Sequence, residues 1–166
     1  MIKKFVFLLF LGLLFSCSEN TQNTNQPTMQ AIKDNVKWEA FTSSAAAATA
    51  NISVVGIGDN QSVTLKMELP ADFVMQTDEE TYVKYTLGKK DNINQAVFTM
   101  QAGGKDYMYL TQNGAGDGQI VITNYDGVSI SGTFRFNAAI TVKDPTQQDA
   151  VNFNEGIFYK IPITFN

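Results

Sequence analysis

The side chains that most often carry chemistry are scarce in this chain. Its 166 residues hold no histidine and one cysteine, Cys17. Without imidazole there is no Ser-His-Asp or Cys-His nucleophile and no imidazole metal ligand. Acid–base work falls to carboxylates, lysines and tyrosines. The densest acidic run is Asp78-Glu79-Glu80. Adjacent carboxylates do not form the spaced oxygen cage of a calcium loop, so the run reads as a solvated turn and no metal is expected. Asn113 to Gly118 (NGAGDG) is glycine-rich but lacks the Lys-Ser/Thr ending of a phosphate-binding loop. It also precedes a strand pattern rather than a helix, and reads as a hairpin connection; Asp117 with Asn113 is its one candidate for holding a surface cation. Tyr107 and Tyr109 share one face of a strand, and Tyr82 shares a face with Lys84. Exposed rings on a sheet stack on sugars or grip a protein partner. Tyr82, Tyr107 and Tyr109 are therefore the candidate ligand contacts, the alternative being that these rings fill the core. Arg135 stands alone on a polar face and reads as a solvated cross-strand partner. No catalytic residue and no cofactor is expected.

The longest period-2 pattern runs from Gln119 to Val142. Its apolar set after the turn is Val128, Ile130, Gly132, Phe134, Phe136, Ala138, Ile140 and Val142. Such alternation makes a strand with one dry and one wet face. Asp126-Gly127 marks a turn between this strand and the one carrying Ile120 and Ile122. A two-residue loop would send Ile120 and Ile122 to the polar face. A three-residue loop, Tyr125-Asp126-Gly127, pairs Ile122 with Ile130 and Ile120 with Gly132, with Gly127 left-handed. That register is expected. Gly132 leaves a gap in the dry face, and Trp38 is the ring expected over it.

The remaining strands are shorter. Val36 to Phe41, Ile52 to Ile57, Val63 to Leu69, Thr81 to Leu87, Gln95 to Gln101, Tyr107 to Leu110 and Gly156 to Phe165 each read as strands between Gly, Asn and Asp turns. Thr42 to Asn51 is a small-residue run, helical by alanine content but equally consistent with an extended or irregular segment. Ala71 to Gln76 suits one helical turn, and Asp144 to Glu155 a polar connection. Pro162 removes a ladder donor, which suggests an edge or a bulge. About nine strands predict an all-β fold, an antiparallel β-sandwich, with a calycin-like closed β-barrel as the alternative.

Residues 1–16 read as a signal peptide, with Lys3 and Lys4 before an apolar stretch from Phe5 to Phe15. That stretch is too short for a permanent span. The run Leu14-Phe15-Ser16-Cys17 resembles a bacterial lipobox, which implies cleavage before Cys17 and lipidation of its thiol. Several acyl chains at about 0.8 kcal/mol per buried methylene would anchor the protein stably. Residues 17–35 are polar and aperiodic, a flexible tether, and 36–166 form a single β-domain. With no second cysteine there is no internal disulfide, so stability must come from the core. Removing residues 1–16 takes away two of 12 basic side chains and none of the 16 acidic ones. The resulting negative balance argues against a nucleic-acid partner.

Three runs, Gly118 to Asp126, Ile130 to Ala138 and Asn154 to Ile163, together with Trp38-Glu39-Ala40, resemble a family of small Bacteroidota lipoproteins known only as a domain of unknown function. The likeness covers roughly residues 36–166. It implies the β-rich fold and the lipid anchor, and brings no catalytic residues. The expected protein is a non-enzymatic binding or structural module, lipid-anchored in the cell envelope on the outer membrane, with a protein or glycan partner. A carrier of a small apolar ligand, lined by residues such as Phe134, Phe136, Met67 and Tyr109, is the alternative. A carboxylate-based glycan hydrolase ranks last, because no acidic pair stands out.

Overall fold

The computed structural model describes residues 26–70 and 82–166. The signal segment, Cys17, the start of the tether, the turn over Ala71 to Gln76 and the Asp78-Glu79-Glu80 run lie outside the described residues. None of the described residues is helical. The strands are β1 (Thr28–Lys33), β2 (Val36–Glu39), β3 (Thr42–Ala47), β4 (Asn51–Gly58), β5 (Gln61–Glu68), β6 (Val83–Leu87), β7 (Gln95–Ala102), β8 (Lys105–Leu110), β9 (Asp117–Tyr125), β10 (Ser129–Ile140) and β11 (Ala150–Phe165). The fold is all-β, as the alternation predicts.

All eleven strands join one hydrogen-bonded sheet, which folds over so that two runs of strands face each other across the core. One runs β2-β1-β11-β10-β9-β6, the other β3-β4-β5-β7-β8. They are joined at two corners by the two longest strands. The last residues of β11 pair with β3 (Ile163 with Ala45), the one parallel pairing among the named strands, and the end of β10 pairs with β8 (Ala139 with Leu110). The hydrogen-bonded circuit therefore closes through β11 and β10, yet the two runs pack ring against ring as the layers of a sandwich, sharing their long strands at the corners. The core between the layers is a stack of rings. Phe136 lies 4.6 Å from Phe153, and Phe153 lies 5.2 Å from Phe98 across the layers. Each such ring contributes about 1.5–3 kcal/mol by leaving water.

Several expectations are corrected. The domain begins before Val36: β1 lies within the stretch assigned to the tether, and it buries Met29 and Ala31. Asp34 (φ 48°) and Asn35 (φ 67°) form a two-residue loop that turns β1 back into β2. Of the readings left open for Thr42 to Asn51, the extended one holds over Thr42–Ala47, where Ala45 and Ala47 are small enough to fill the corner beside β11. The polar connection is also shorter than expected, since β11 starts at Ala150 and buries Val151 and Phe153. Pro162 sits two residues after a positive-φ residue, Lys160 (φ 48°), at one of the irregularities of β11, in accord with the bulge it suggested.

The central hairpin takes neither register weighed from sequence. Its loop has four residues, Asp126 to Ser129, with Tyr125 opposite Ile130. A bulge between Ser131 and Gly132 then shifts the ladder, so Ile122 faces Gly132 and Ile120 faces Phe134. The bulge flips parity once, which lets an odd offset at the turn coexist with aligned apolar faces further along. Asp126 still organises the turn: its carboxylate accepts from the backbone N–H of Ser129 (2.6 Å) and Val128 (2.9 Å). Those bonds, Ser129's first, lower its pKa. Gly127 is left-handed as expected (φ 77°). Gly132 is filled over by Phe158, not Trp38. Trp38 instead packs over Gly56 and Gly58 of β4 and edge-on to Phe153.

Candidate binding cleft

The turns Asp34-Asn35, Asp59-Asn60 and Gly103-Gly104 gather at one end of the sandwich with the connection 141–149. Two neighbouring clefts open there. The larger, about 910 Å³, is walled by the ends of β4, β5, β7 and β8 and by Thr141 to Asp144. The smaller, about 530 Å³, lies between the β1–β2 hairpin and Asp59, with Gln148 on its border. Gln61 lines both. The larger volume falls within the roughly 300–1,000 Å³ typical of ligand sites.

The floor of the larger cleft is read off the ladder register. Ile57 pairs with Ser62, Ser62 with Thr99, and Thr99 with Met108, while the Thr141 N–H donates to the Met108 carbonyl. These residues form a row across the strands on the outward face. Ile57 (51% exposed) and Met108 (45%) leave large apolar surface in water, and Val142 (74%) adds more beside them. At a strand spacing of about 4.8 Å the row is roughly 19 Å long. The hydroxyls of Ser62 and Thr99 hydrogen-bond each other at 2.7 Å.

One wall is latched by Asp144. Its Oδ1 accepts from the Thr146 hydroxyl (2.6 Å) and the Thr146 N–H (2.9 Å). Its Oδ2 accepts from the Tyr107 hydroxyl (3.2 Å) and lies 3.4 Å from Lys105 Nζ. The Thr146 hydroxyl first, then the other donors, holds the Asp144 pKa down to about 2. A carboxylate so fully engaged is a poor proton acceptor near neutrality, and it acts as the clasp of the 141–149 connection. The cleft's other cation, Lys143, lies 3.6 Å from Asp149. Around the smaller cleft, Lys33 and Asp34 are 2.9 Å apart and Lys37 and Glu39 2.7 Å.

The structure brings two of the three candidate tyrosines to this end but turns their rings inward. Tyr107 is 8% exposed and reaches the cleft through its hydroxyl; Tyr109 is 1% exposed and packs 5.9 Å from Phe98. The Tyr109 pKa is raised by burial and then by the charges of Asp34, Tyr107 and Asp144. Tyr109 is thus a core residue, not a stacking platform. Tyr82, half-buried, precedes the edge strand β6, away from both clefts. Phe134 and Phe136, expected to border a carrier cavity, stack on each other at 6.1 Å, and Phe134 on Phe158 at 6.4 Å. Asn113 and Asp117 do not combine: Asp117 instead joins an amide ladder, accepting from Asn137, which accepts from Asn152, which accepts from Asn154. Arg135 lies on the exposed face beside Gln119, as expected. No group of three or more metal-ligating side chains is assembled among the described residues. Sequence reasoning passed over Met108, yet the signal was there. If Tyr107 and Tyr109 face inward, the residue between them is an apolar side chain on the wet face.

Fold and cleft together define a class: a closed-cornered all-β domain with a surface cleft at one end. The family model for "Domain of unknown function (DUF6252)" matches residues 25–162, and the chain belongs to that family. The match starts ahead of β1, as the corrected domain boundary requires. No curated protein and no solved structure matches the chain.

Proposed function

We propose that this protein is a lipid-anchored, non-catalytic binding module of the cell envelope, and that the larger cleft is its binding surface. The observation that carries the reading is the row Ile57–Ser62–Thr99–Met108–Thr141, an exposed, partly apolar floor walled by a clasped loop. Exposed apolar surface gathered in a concave site is the usual mark of an interaction surface. The lipobox-like run ending at Cys17 supports the anchor. The absence of histidine and the engagement of Asp144 by four donors argue against catalysis there. The carrier reading needs interior space where the rings of Phe98, Phe136 and Phe153 pack against one another.

Two experiments test it. Mass spectrometry of the N-terminal peptide should find an acylated Cys17, and Cys17→Ala should release the protein from membranes; an unmodified thiol on a released protein defeats the anchor. A photo-crosslinking residue at Met108 should trap a specific adduct in intact cells that the same residue at exposed Val128, at the other end of the sandwich, does not. Equal labelling at both positions sinks the cleft as the binding surface.

A further inference from the structure

The chemistry lining the clefts narrows the ligand, given the binding reading above. Every lysine there already has a carboxylate. Lys33 meets Asp34, Lys37 meets Glu39, Lys105 meets Asp144 and Lys143 meets Asp149. The pairs leave no lysine of the linings without a neighbouring carboxylate, and with Asp59 in the smaller cleft and Asp106 in the larger the two linings together hold four lysines against five carboxylates. The larger cleft, with two lysines and two carboxylates, therefore offers a phosphate, a carboxylate or an anionic headgroup no net positive charge to draw it. The floor is equally unsuited to main-chain recognition of a peptide. Strand addition needs an open sheet edge. Here β4, β5, β7 and β8 are paired in ladders along the floor, so recognition falls to side chains.

Those side chains are neutral and hydrogen-bonding. Gln61 and Gln101 sit at the cleft beside Asn60, Ser62, Thr99 and Thr141. Amides and hydroxyls both donate and accept, which matches a partner made of hydroxyl groups. Between them Ile57, Met108 and Val142 offer apolar patches for C–H faces. Along one line perpendicular to the strands the floor sets the hydroxyl pair Ser62 and Thr99 between Ile57 and Met108, with Thr141 beyond, over roughly 19 Å.

We infer that the cleft binds a neutral, hydroxyl-rich linear ligand, a glycan chain, laid across β4, β5, β7 and β8 and held by Gln61 and Gln101 over Ile57 and Met108. Methyl NMR of the full chain, labelled at methionine in detergent micelles, tests this directly. Met100 and Met108 line the cleft, while fully buried Met29 and Met67 serve as internal controls. The probes are a panel of neutral hexasaccharides (malto-, cello-, xylo- and N-acetylchito-), an oligogalacturonate as the anionic counterpart, and a casein peptide mixture. The expected result is that a neutral oligosaccharide shifts Met100 and Met108 but not Met29 or Met67. Replacing Gln61 and Gln101 by alanine should then weaken binding about tenfold, the loss of one or two hydrogen bonds, at unchanged Tm. Shifts with the oligogalacturonate or the peptides alone overturn the inference of a neutral glycan and leave the binding cleft standing. A silent panel overturns the inference too, and the Met108 crosslink then decides whether the cleft binds anything.

Discussion

Trp38 shows how far a single side chain can be argued from sequence. Its burial was expected; its neighbour was not. The ring lies over Gly56 and Gly58, where a side chain would collide with it, and its Nε1 is buried without a hydrogen-bond partner. An unpaired buried donor costs about 1–3 kcal/mol. Trp38→Phe keeps a ring against Phe153 and removes that donor, so the variant should unfold within about 1 kcal/mol of wild type. Trp38→Ala should lose about 3–5 kcal/mol by leaving a cavity. Equal losses for both in urea titrations would mean the indole nitrogen is satisfied after all. Tyr85 carries a pH prediction. Burial first, then the charge of Glu68, raises its pKa to about 12. The folded state therefore keeps a proton that the unfolded chain releases near pH 10, so stability falls from about pH 10 towards pH 12. Tyr85→Phe should flatten that decline in alkaline melts; an unchanged slope assigns it to other groups. Neither the orphaned nitrogen nor the raised pKa was visible in composition or period, since both arise from neighbours far away in the chain.

The strands themselves were largely legible, because alternation reports directly on a half-buried sheet. Eight of the nine expected strands recur within a few residues of their predicted ends, and the ninth, Gly156 to Phe165, starts earlier, at Ala150. What failed was register and the short connections. The hairpin was expected to solve its parity in the loop, and it solves it with a bulge at Ser131–Gly132. A bulge leaves no period of its own, so only the glycine hinted at it. That glycine now carries a prediction. A Cβ at Gly132 would run into the Val121 carbonyl oxygen and the Phe158 ring. Two rigid neighbours cannot yield as a flexible side chain would. Gly132→Ala should destabilise by about 1–3 kcal/mol through overpacking, read as a lower denaturant midpoint at constant m. Phe158→Leu in the same background should recover part of the loss. No recovery would place the conflict with the Val121 backbone alone. The strand β1 was missed for a different reason: it is one short, polar-looking run, TMQAIK, at the end of an aperiodic segment. Its partner β11 lies more than a hundred residues away, and only that pairing makes Met29 and Ala31 core residues.

Placing β1 in the sheet sets the direction in which the molecule is held. Lys33 and the Asp34-Asn35 loop lie at the cleft end, so Thr28, six residues of strand earlier, lies roughly 20 Å away at the other. On the proposed lipidation of Cys17, the anchor leaves one end of the sandwich and the clefts open at the opposite one, towards whatever lies beyond the membrane. The geometry depends on β1 being structural rather than the last part of a tether, and that can be checked by truncation. β1 supplies the pairing partner of β2, covers β11 from Thr28 to Lys33, and buries Met29 completely. Asp34 then exchanges two hydrogen bonds with the backbone of Asn152, each 2.9 Å. Removing a buried methionine side chain alone costs about 2–5 kcal/mol. Removing the strand also strips the ladder from β11 and leaves β2 with nothing to pair. The combined loss is comparable to the whole stability of a domain, about 5–15 kcal/mol. A chain starting at Gln26 should therefore melt cooperatively with a near-ultraviolet signal from Trp38. One starting at Val36 should lose that signal and melt without a sharp transition. Should the shorter chain melt at the same temperature as the longer, β1 is an appendage, and the end from which the anchor departs is no longer fixed by the sheet.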